Sequence, residues 1–334
     1  MNQTVLLTGA NGFLGAHLTR ELLRRGYTVR ALVRSRQTSA TLAGLPIDLV
    51  EGDILNVDAL DRAAVGCDAL IHAAALAQVN PARSPMIRAV NETGTANVIR
   101  AAQRANVGRL VYVGTANVFG FGTLDLPGDE TTPFAGHRYG SDYIDSKRAA
   151  TMRVEQAVRE IGLPAVLVHP TFMLGSLDAK PTSGQLLLEV YRGRLIGYPA
   201  GGKNYVSVRD VATATVNALT QGRIGESYIL GHRNISYRDA FRLMAERIHV
   251  SPPRLPLPPA LARLYGYGCD AWSQLTGRLM PVNSAMVAVA NDGHYFQSQK
   301  AITELGLPQT SVETAIDEAF DWFKKHDYVT KRTR

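Results

Sequence analysis

Tyr143 and Lys147 stand four residues apart in Tyr143-Ile144-Asp145-Ser146-Lys147, and no other pair in the chain is better suited to moving a proton. A free phenol has a pKa of about 10 and is a poor base at neutral pH. Residues at i and i+4 share a helix face, so an ammonium there favours the phenolate. Tyr143 is expected to act as acid and base, with Lys147 tuning it. With 13 tyrosines in the chain such a spacing also arises by chance, so its meaning depends on what precedes it. What precedes it is Thr8-Gly9-Ala10-Asn11-Gly12-Phe13-Leu14-Gly15, set between an apolar run and a helical pattern. In such a turn Gly9 permits the bend, Gly12 lets backbone approach a pyrophosphate, and Gly15 lets helix and strand pack closely. The helix start at Phe13 and Leu14 offers free N–H groups to phosphate. The two motifs together, in this order, point to hydride transfer with a dinucleotide.

The second strand ends Leu32-Val33-Arg34-Ser35-Arg36, without the carboxylate that would hold a ribose 2′-hydroxyl and repel a 2′-phosphate. Arg34, with Arg36 behind it, can bind a phosphate by charge-assisted hydrogen bonds. NADP(H) is therefore favoured over NAD. Asp53 and Ile54 close the third strand, where an acid can accept from the adenine amine.

These residues need a scaffold, and the first half supplies its rhythm. Thr4–Thr8, 27–33, 47–50, 69–73, 110–113 and 165–168 read as short strands separated by helical segments. Leu14, Leu18 and Leu22 give the first helix one apolar stripe, and Gly26 ends it. Alternating strand and helix predicts a doubly wound α/β domain, a parallel sheet covered on both faces. After Pro170 the rhythm breaks. The Rossmann domain is expected over 1–170, with roughly 203–232 returning to it. Residues 171–202 and 233–326 form a smaller, discontinuous substrate lobe, and 327–334 a basic tail. Helices are expected over 211–220, capped by Asp210, and over 237–248. A third, 258–275, reads as a lid or lobe helix whose apolar residues are expected to pack in the core, the alternative being a membrane-surface helix.

At 334 residues and 46% apolar, the chain can bury a large core plus a lobe. The two cysteines are too few for a disulfide framework, so a reducing compartment is expected. No secretory signal and no run long enough to span a membrane is visible, which makes the cytoplasm the default. A net charge of +7 reads mainly as a basic surface. No basic stretch is interleaved with aromatics, so nucleic acid is not the expected partner. No His, Cys or Asp cluster has metal-ligand spacing, and His72 reads as structural or near the cofactor.

Beyond these motifs, His72-Ala73-Ala74-Ala75, Asn91-Glu92-Thr93-Gly94-Thr95, Val113-Gly114-Thr115-Ala116, His169-Pro170-Thr171 and Tyr205-Val206-Ser207-Val208-Arg209-Asp210 follow in order, and then Lys300-Ala301. Over nearly its whole length the chain resembles the extended short-chain dehydrogenase/reductases, the NAD-dependent epimerase/dehydratase family. Within them it is similar to dihydroflavonol-4-reductase-like proteins and hopanoid-associated sugar epimerases. The resemblance implies that the Thr115 hydroxyl bonds the reacting oxygen and that Lys147 also holds the nicotinamide ribose. It implies that Asn11, Ala73, Ala74, Ala75, Asn91, His169, Pro170, Thr171 and Phe172 join the cofactor site. Asn117, Tyr139, Met173, Tyr191 and Lys203 face the substrate by position, and Phe172 is shared between the two. Relatives often form a homodimer, here through helices near 86–106 and 141–161.

Three departures bear on the reaction. Ala116 and Asn117 follow Thr115 where sugar dehydratases carry an acid, which argues against elimination. Lys203-Asn204-Tyr205 stands where nucleotide-sugar epimerases commonly carry Arg-Asp-Tyr, and a lysine cannot reproduce a bidentate arginine. No arginine occurs in 286–299, although Arg192, Arg194 and Arg209 could grip a diphosphate from elsewhere. The leading expectation is reduction of a ketone or aldehyde. The alternative is a nucleotide-sugar epimerase, and a minor one is an NADP-binding sensor without chemistry.

Overall fold

The computed structural model describes residues 3–38 and 40–329. Its first half runs β1 (Thr4–Thr8), α1 (Phe13–Arg24), β2 (Thr28–Val33), β3 (Asp48–Glu51), α2 (Val57–Ala64), β4 (Ala69–His72), α3 (Pro85–Arg88), α4 (Gly94–Arg104), β5 (Arg109–Val113), α5 (Asp142–Ile161) and β6 (Ala165–Pro170). The second half begins with β7 (Phe172–Leu174), α6 (Gly184–Arg192), β8 (Gly197–Tyr198), β9 (Gly202–Ser207), α7 (Val208–Asn217), β10 (Ser227–Leu230), β11 (Arg233–Ser236) and α8 (Tyr237–Arg247). It ends with β12 (Leu255–Pro256), α9 (Pro259–Thr276), α10 (Ser284–Asn291), β13 (Gly293–His294), α11 (Gln299–Leu305) and α12 (Val312–Lys325).

Seven parallel strands form the main sheet in the order β10-β6-β5-β4-β1-β2-β3. Both faces are covered, which is why its strands read as continuous apolar runs. Val5 and Leu7 join the core on one face, while Leu6 joins the core on the other. From β1 the order winds outward in both directions, so the switch point lies between β1 and β4. Crevices at such points, beyond the carboxyl ends of the strands, are where doubly wound sheets bind ligands.

The lobe has its own four-stranded sheet, with β11, β7 and β13 all pairing on β9, and a small β8–β12 pair. Its separate core includes Tyr205, Phe241 and Phe323. The boundary differs in detail from the expected one. Residues 202–207 belong to the lobe sheet, and the chain returns to the main layers only with α7 and β10. Residues near 301–307 also return, because Ala301, Leu305 and Leu307 pack in the main core. Lys300 donates to Glu226 Oε2 at 2.6 Å and to Ser227 O at 2.9 Å, pinning α11 beside β10.

Two sequence expectations need correction. Asp210 does not cap its helix: α7 starts earlier, at Val208, and Ser207 caps it by accepting from the Arg209 N–H. Asp210 instead accepts from Thr310 N at 2.7 Å and Thr310 Oγ1 at 2.8 Å, tying α7 to the approach of α12. The helix expected at 258–275 is present as α9, but its large apolar residues do not pack in the core. Its buried positions are the small Gly266 and Cys269. A Cβ on Gly266 would lie 2.9 Å from Ser284 Cα, so only small residues let α9 approach α10 this closely. Leu264, Trp272 and Leu275 therefore face outward. Of the basic tail, 330–334 lie outside the described residues.

Candidate active site

The glycine turn sits at the carboxyl end of β1, and each glycine meets a steric demand there. Gly9 has φ +77°, and a Cβ on it would lie 2.6 Å from Ala74 N. A Cβ on Gly15 would lie 2.0 Å from Gly9 O. Gly12 is the N-cap of α1 and offers no side chain to its first N–H groups. With Asn11, Phe13 and Leu14 around it, this helix start is an anion-binding cradle that fits a pyrophosphate. Arg34 directly follows the end of β2 and Arg36 lies two residues on, both exposed and with no ion pair among the described residues. Asp53 accepts from Leu55 N at 2.8 Å, and Ile54 fills the gap over Gly94, where a Cβ would touch its Cδ1 at 2.5 Å.

Behind the cradle, His72 is wired in place. Its Nδ1 meets Thr8 Oγ1 at 2.8 Å and its Nε2 meets Thr95 Oγ1 at 3.1 Å. Burial pulls its pKa down to about 3, so the ring is a neutral strut. Ala73 and Ala74 donate to Thr8 O at 3.2 Å and Thr8 Oγ1 at 3.3 Å, and Ala75 is exposed beyond them. Asn91 is fully committed: its Oδ1 accepts from Leu76 N at 2.8 Å, and its Nδ2 donates to Leu76 O and Ser146 Oγ. It bolts the loop after β4 to α5.

The start of α5 is held by Asp142, which accepts from Ser84 N at 2.6 Å and from Arg83 and Arg88, each at 2.9 Å. Tyr143 and Lys147 follow on one face. Thr115, just past β5, places its hydroxyl beside the Tyr143 phenol. Loss of solvent raises the Tyr143 pKa above that of a free phenol, and the neighbouring Thr115 hydroxyl offsets part of this. Lys147 donates to Val113 O at 2.8 Å and lies 4.6 Å from the Tyr112 ring centroid. Burial lowers its pKa to about 7. The expected tuning is thus not the balance seen: burial dominates both groups, and the ammonium is turned toward Val113.

His169 is fully buried, with Nε2 3.1 Å from Ser227 Oγ and its ring edge against Phe119. Pro170 ends β6 beside it, and Thr171 donates to Asn204 Oδ1 at 2.8 Å. Of the residues expected at the substrate, three converge. Tyr139 donates to Asp292 Oδ2 at 2.5 Å and lies 3.4 Å from His294 Nε2. The other ring nitrogen of His294 is 3.2 Å from Asn117 Oδ1. Lys203 pairs with His294 across β9 and β13, and its Nζ lies 5.4 Å from the Phe172 ring centroid. Burial lowers the Lys203 pKa to about 8, and burial together with Lys203 and Arg138 keeps His294 neutral. Met173 packs toward the main core instead, and Tyr191 packs at a tilt against Phe320 within the lobe.

Arg138, Asp292 and His294 complete this cluster, and sequence reasoning did not single them out. Arg138 donates to Asp292 at 2.9 Å and lies 5.3 Å from the Phe121 ring centroid. The available signal was the polar turn Asn291-Asp292-Gly293-His294 after an apolar helix, but only the β9–β13 pairing carries it to Asn117.

The model of the NAD dependent epimerase/dehydratase family matches residues 5–231, well over half of the chain. The chain belongs to the NAD-dependent epimerase/dehydratase family. This family member is 33% identical to a Synechocystis sp. protein provisionally named a dihydroflavonol 4-reductase, over 98% of the chain and 97% of that protein. It is 30% identical to the sterol demethylase protein B of Methylococcus capsulatus, over 98% and 100%. Among solved structures it is similar to PA4631, a nucleoside-diphosphate-sugar epimerase from Pseudomonas aeruginosa. There the TM-score is 0.83 at 26% identity, covering 99% of this chain and 100% of the other. The chain is thus an oxidoreductase-type enzyme of this family, with a cradle suited to NAD(P).

Proposed function

We propose that this enzyme is an NADP(H)-dependent reductase of a ketone or aldehyde carbonyl, with Tyr143 as proton donor. The observation that carries this reading is the state of the arginines. Arg192 and Arg194 reach Glu189, Arg209 pairs with Glu318 at 2.7 Å, and Arg138 pairs with Asp292. Each of these four arginines already has a carboxylate partner. The side of the site beyond Thr115 is instead largely aromatic, made by Phe121, Tyr139, Phe172 and His294, with Lys203 over the Phe172 ring and Arg138 over those of Phe121 and Tyr139.

When bound, a reduced nicotinamide supplies the hydride for the carbonyl carbon. The Tyr143 phenol, kept protonated by its raised pKa, gives its proton to the carbonyl oxygen. The Thr115 hydroxyl orients that oxygen and steadies the phenolate left behind. Lys147 holds positive charge beneath both when protonated. Arg34 and Arg36 support the choice of NADP, since a 2′-phosphate there would meet two exposed cations.

The likeness to the Pseudomonas epimerase supports a second reading, in which a nucleotide sugar is oxidised and reduced again within one turnover. The two part in one assay. NADPH oxidation is followed across aldehydes, ketones, sterones and dihydroflavonols, with NADH in parallel and nucleotide sugars tested for epimers. Turnover that prefers NADPH and falls by about 100-fold or more in Tyr143→Phe, with NADPH affinity kept, supports the reductase. Epimer formation without net NADPH use would overturn it.

A further inference from the structure

We propose that α9 is an interfacial helix that lies on an anionic lipid bilayer. The inference stands on the surface of α9 alone and does not depend on the reaction. Leu261, Leu264, Tyr265, Trp272 and Leu275 follow the i, i+3, i+4, i+11, i+14 spacing of a single helix face. All five are more than half exposed, and Leu275 reaches 85%. The helix is inverted relative to a core helix: its small residues pack on α10 and its large ones face solvent. Contiguous exposed apolar stripes of this kind mark interaction surfaces.

Charge selects the occupant. In residues 251–283 the exposed charged side chains are Arg254, Arg263 and Arg278. The one acid of that segment, Asp270, is turned inward to accept from Ser284 N. Two copies meeting through this face would oppose like charges, whereas anionic headgroups complement them. Leucines with tryptophan and tyrosine, rimmed by arginine, suit the boundary between headgroups and acyl chains. The stripe also has a firm base. Asn283 Nδ2 donates to Val79 O at 2.9 Å, and Asn80 Nδ2 donates to Met280 O at 2.7 Å, which fixes the α9–α10 connection to the main domain. Asp292, at the far end of α10, holds Tyr139, which ties the α9–α10 pair to the site.

The test uses the full chain with no cofactor or substrate. Vesicles of phosphatidylcholine containing about a third phosphatidylglycerol are compared with phosphatidylcholine alone, at low and high salt. The expected result is co-sedimentation with the anionic vesicles. In a Trp322→Phe background, Trp272 emission should shift to the blue and be quenched by brominated lipid. Leu264→Asp with Leu275→Asp should abolish binding while circular dichroism and Tm stay unchanged. Arg263→Gln and Arg278→Gln should each weaken binding roughly fivefold. The proposal is overturned if the wild type stays in the supernatant, or if the double aspartate variant still binds. It is equally overturned if sedimentation velocity shows a dimer in solution that the same variant dissociates, because a second copy would then be the occupant.

Discussion

At the residue scale, the site separates two demands that burial brings into conflict. Tyr143 must keep a proton to give, and burial helps it do so. Lys147 must keep a charge, and burial works against it. The sign of the consequence for stability is fixed by linkage. An unfolded lysine holds its proton to about pH 10.4, while the folded one begins to release it at about 7. The unfolded state therefore binds more protons across that window, and this residue makes stability rise with pH there. Lys147→Met should remove the rise, leave Tm at neutral pH unchanged or higher, and still cut turnover by about 100-fold. Thermal melts from pH 6 to 10 with parallel rates check both halves. Arg34 makes the second residue-scale prediction. Arg34→Ala should reduce the preference for NADPH over NADH by about tenfold or more, since a charge-assisted phosphate contact is lost. Binding titrations with each cofactor would show it, and an unchanged ratio would remove Arg34 from the cofactor site.

At the element scale, the glycine turn sets how β1 and α1 meet. Gly15 lies so close to Gly9 that any Cβ must push the helix off the strand, because the obstacle is a backbone oxygen. Gly15→Ala should therefore cost about 1–3 kcal/mol of stability and weaken dinucleotide binding in the same variant. Denaturant melts and a cofactor titration test this; a variant as stable as the wild type would mean that α1 shifts freely. The catalytic helix is fixed in the same spirit. Asp142 holds its first turn through Arg83, Arg88 and Ser84, and Asn91 holds its second through Ser146.

At the scale of the whole molecule, the two layers of structure meet at the substrate side. Tyr139 and Arg138 come from the loop before α5, and Asp292 comes from the lobe, 153 residues beyond Tyr139. Asp292→Asn keeps the shape but weakens both contacts. It should lower Tm and raise KM for the carbonyl substrate by several-fold, with kcat changed less, because the side wall loosens while Tyr143 stays put. Its effect on the cofactor KM should be small. If kcat falls instead and KM holds, the cluster acts on the chemistry and not on the fit of the substrate.

Much of this was legible in the linear chain because local rules govern it. A buried parallel strand must be apolar throughout, so the runs at 4–8, 69–72, 110–113 and 165–168 announce themselves. A dinucleotide turn needs its glycines at fixed spacing, and a phenol–ammonium pair on one helix face needs its members four positions apart. What the sequence could not decide depends on long-range partners. Nothing near Asp210 says that Thr310 will claim it in place of the helix start. Nothing near Lys203 says that His294 will pair beside it, nor that Glu189 and Glu318 will occupy the arginines. The apolar stretch 258–275 is compatible with a core or a surface, since composition does not say which face of a helix finds a partner. Only the close approach of Gly266 to Ser284 turned its small residues inward and left its large ones outside.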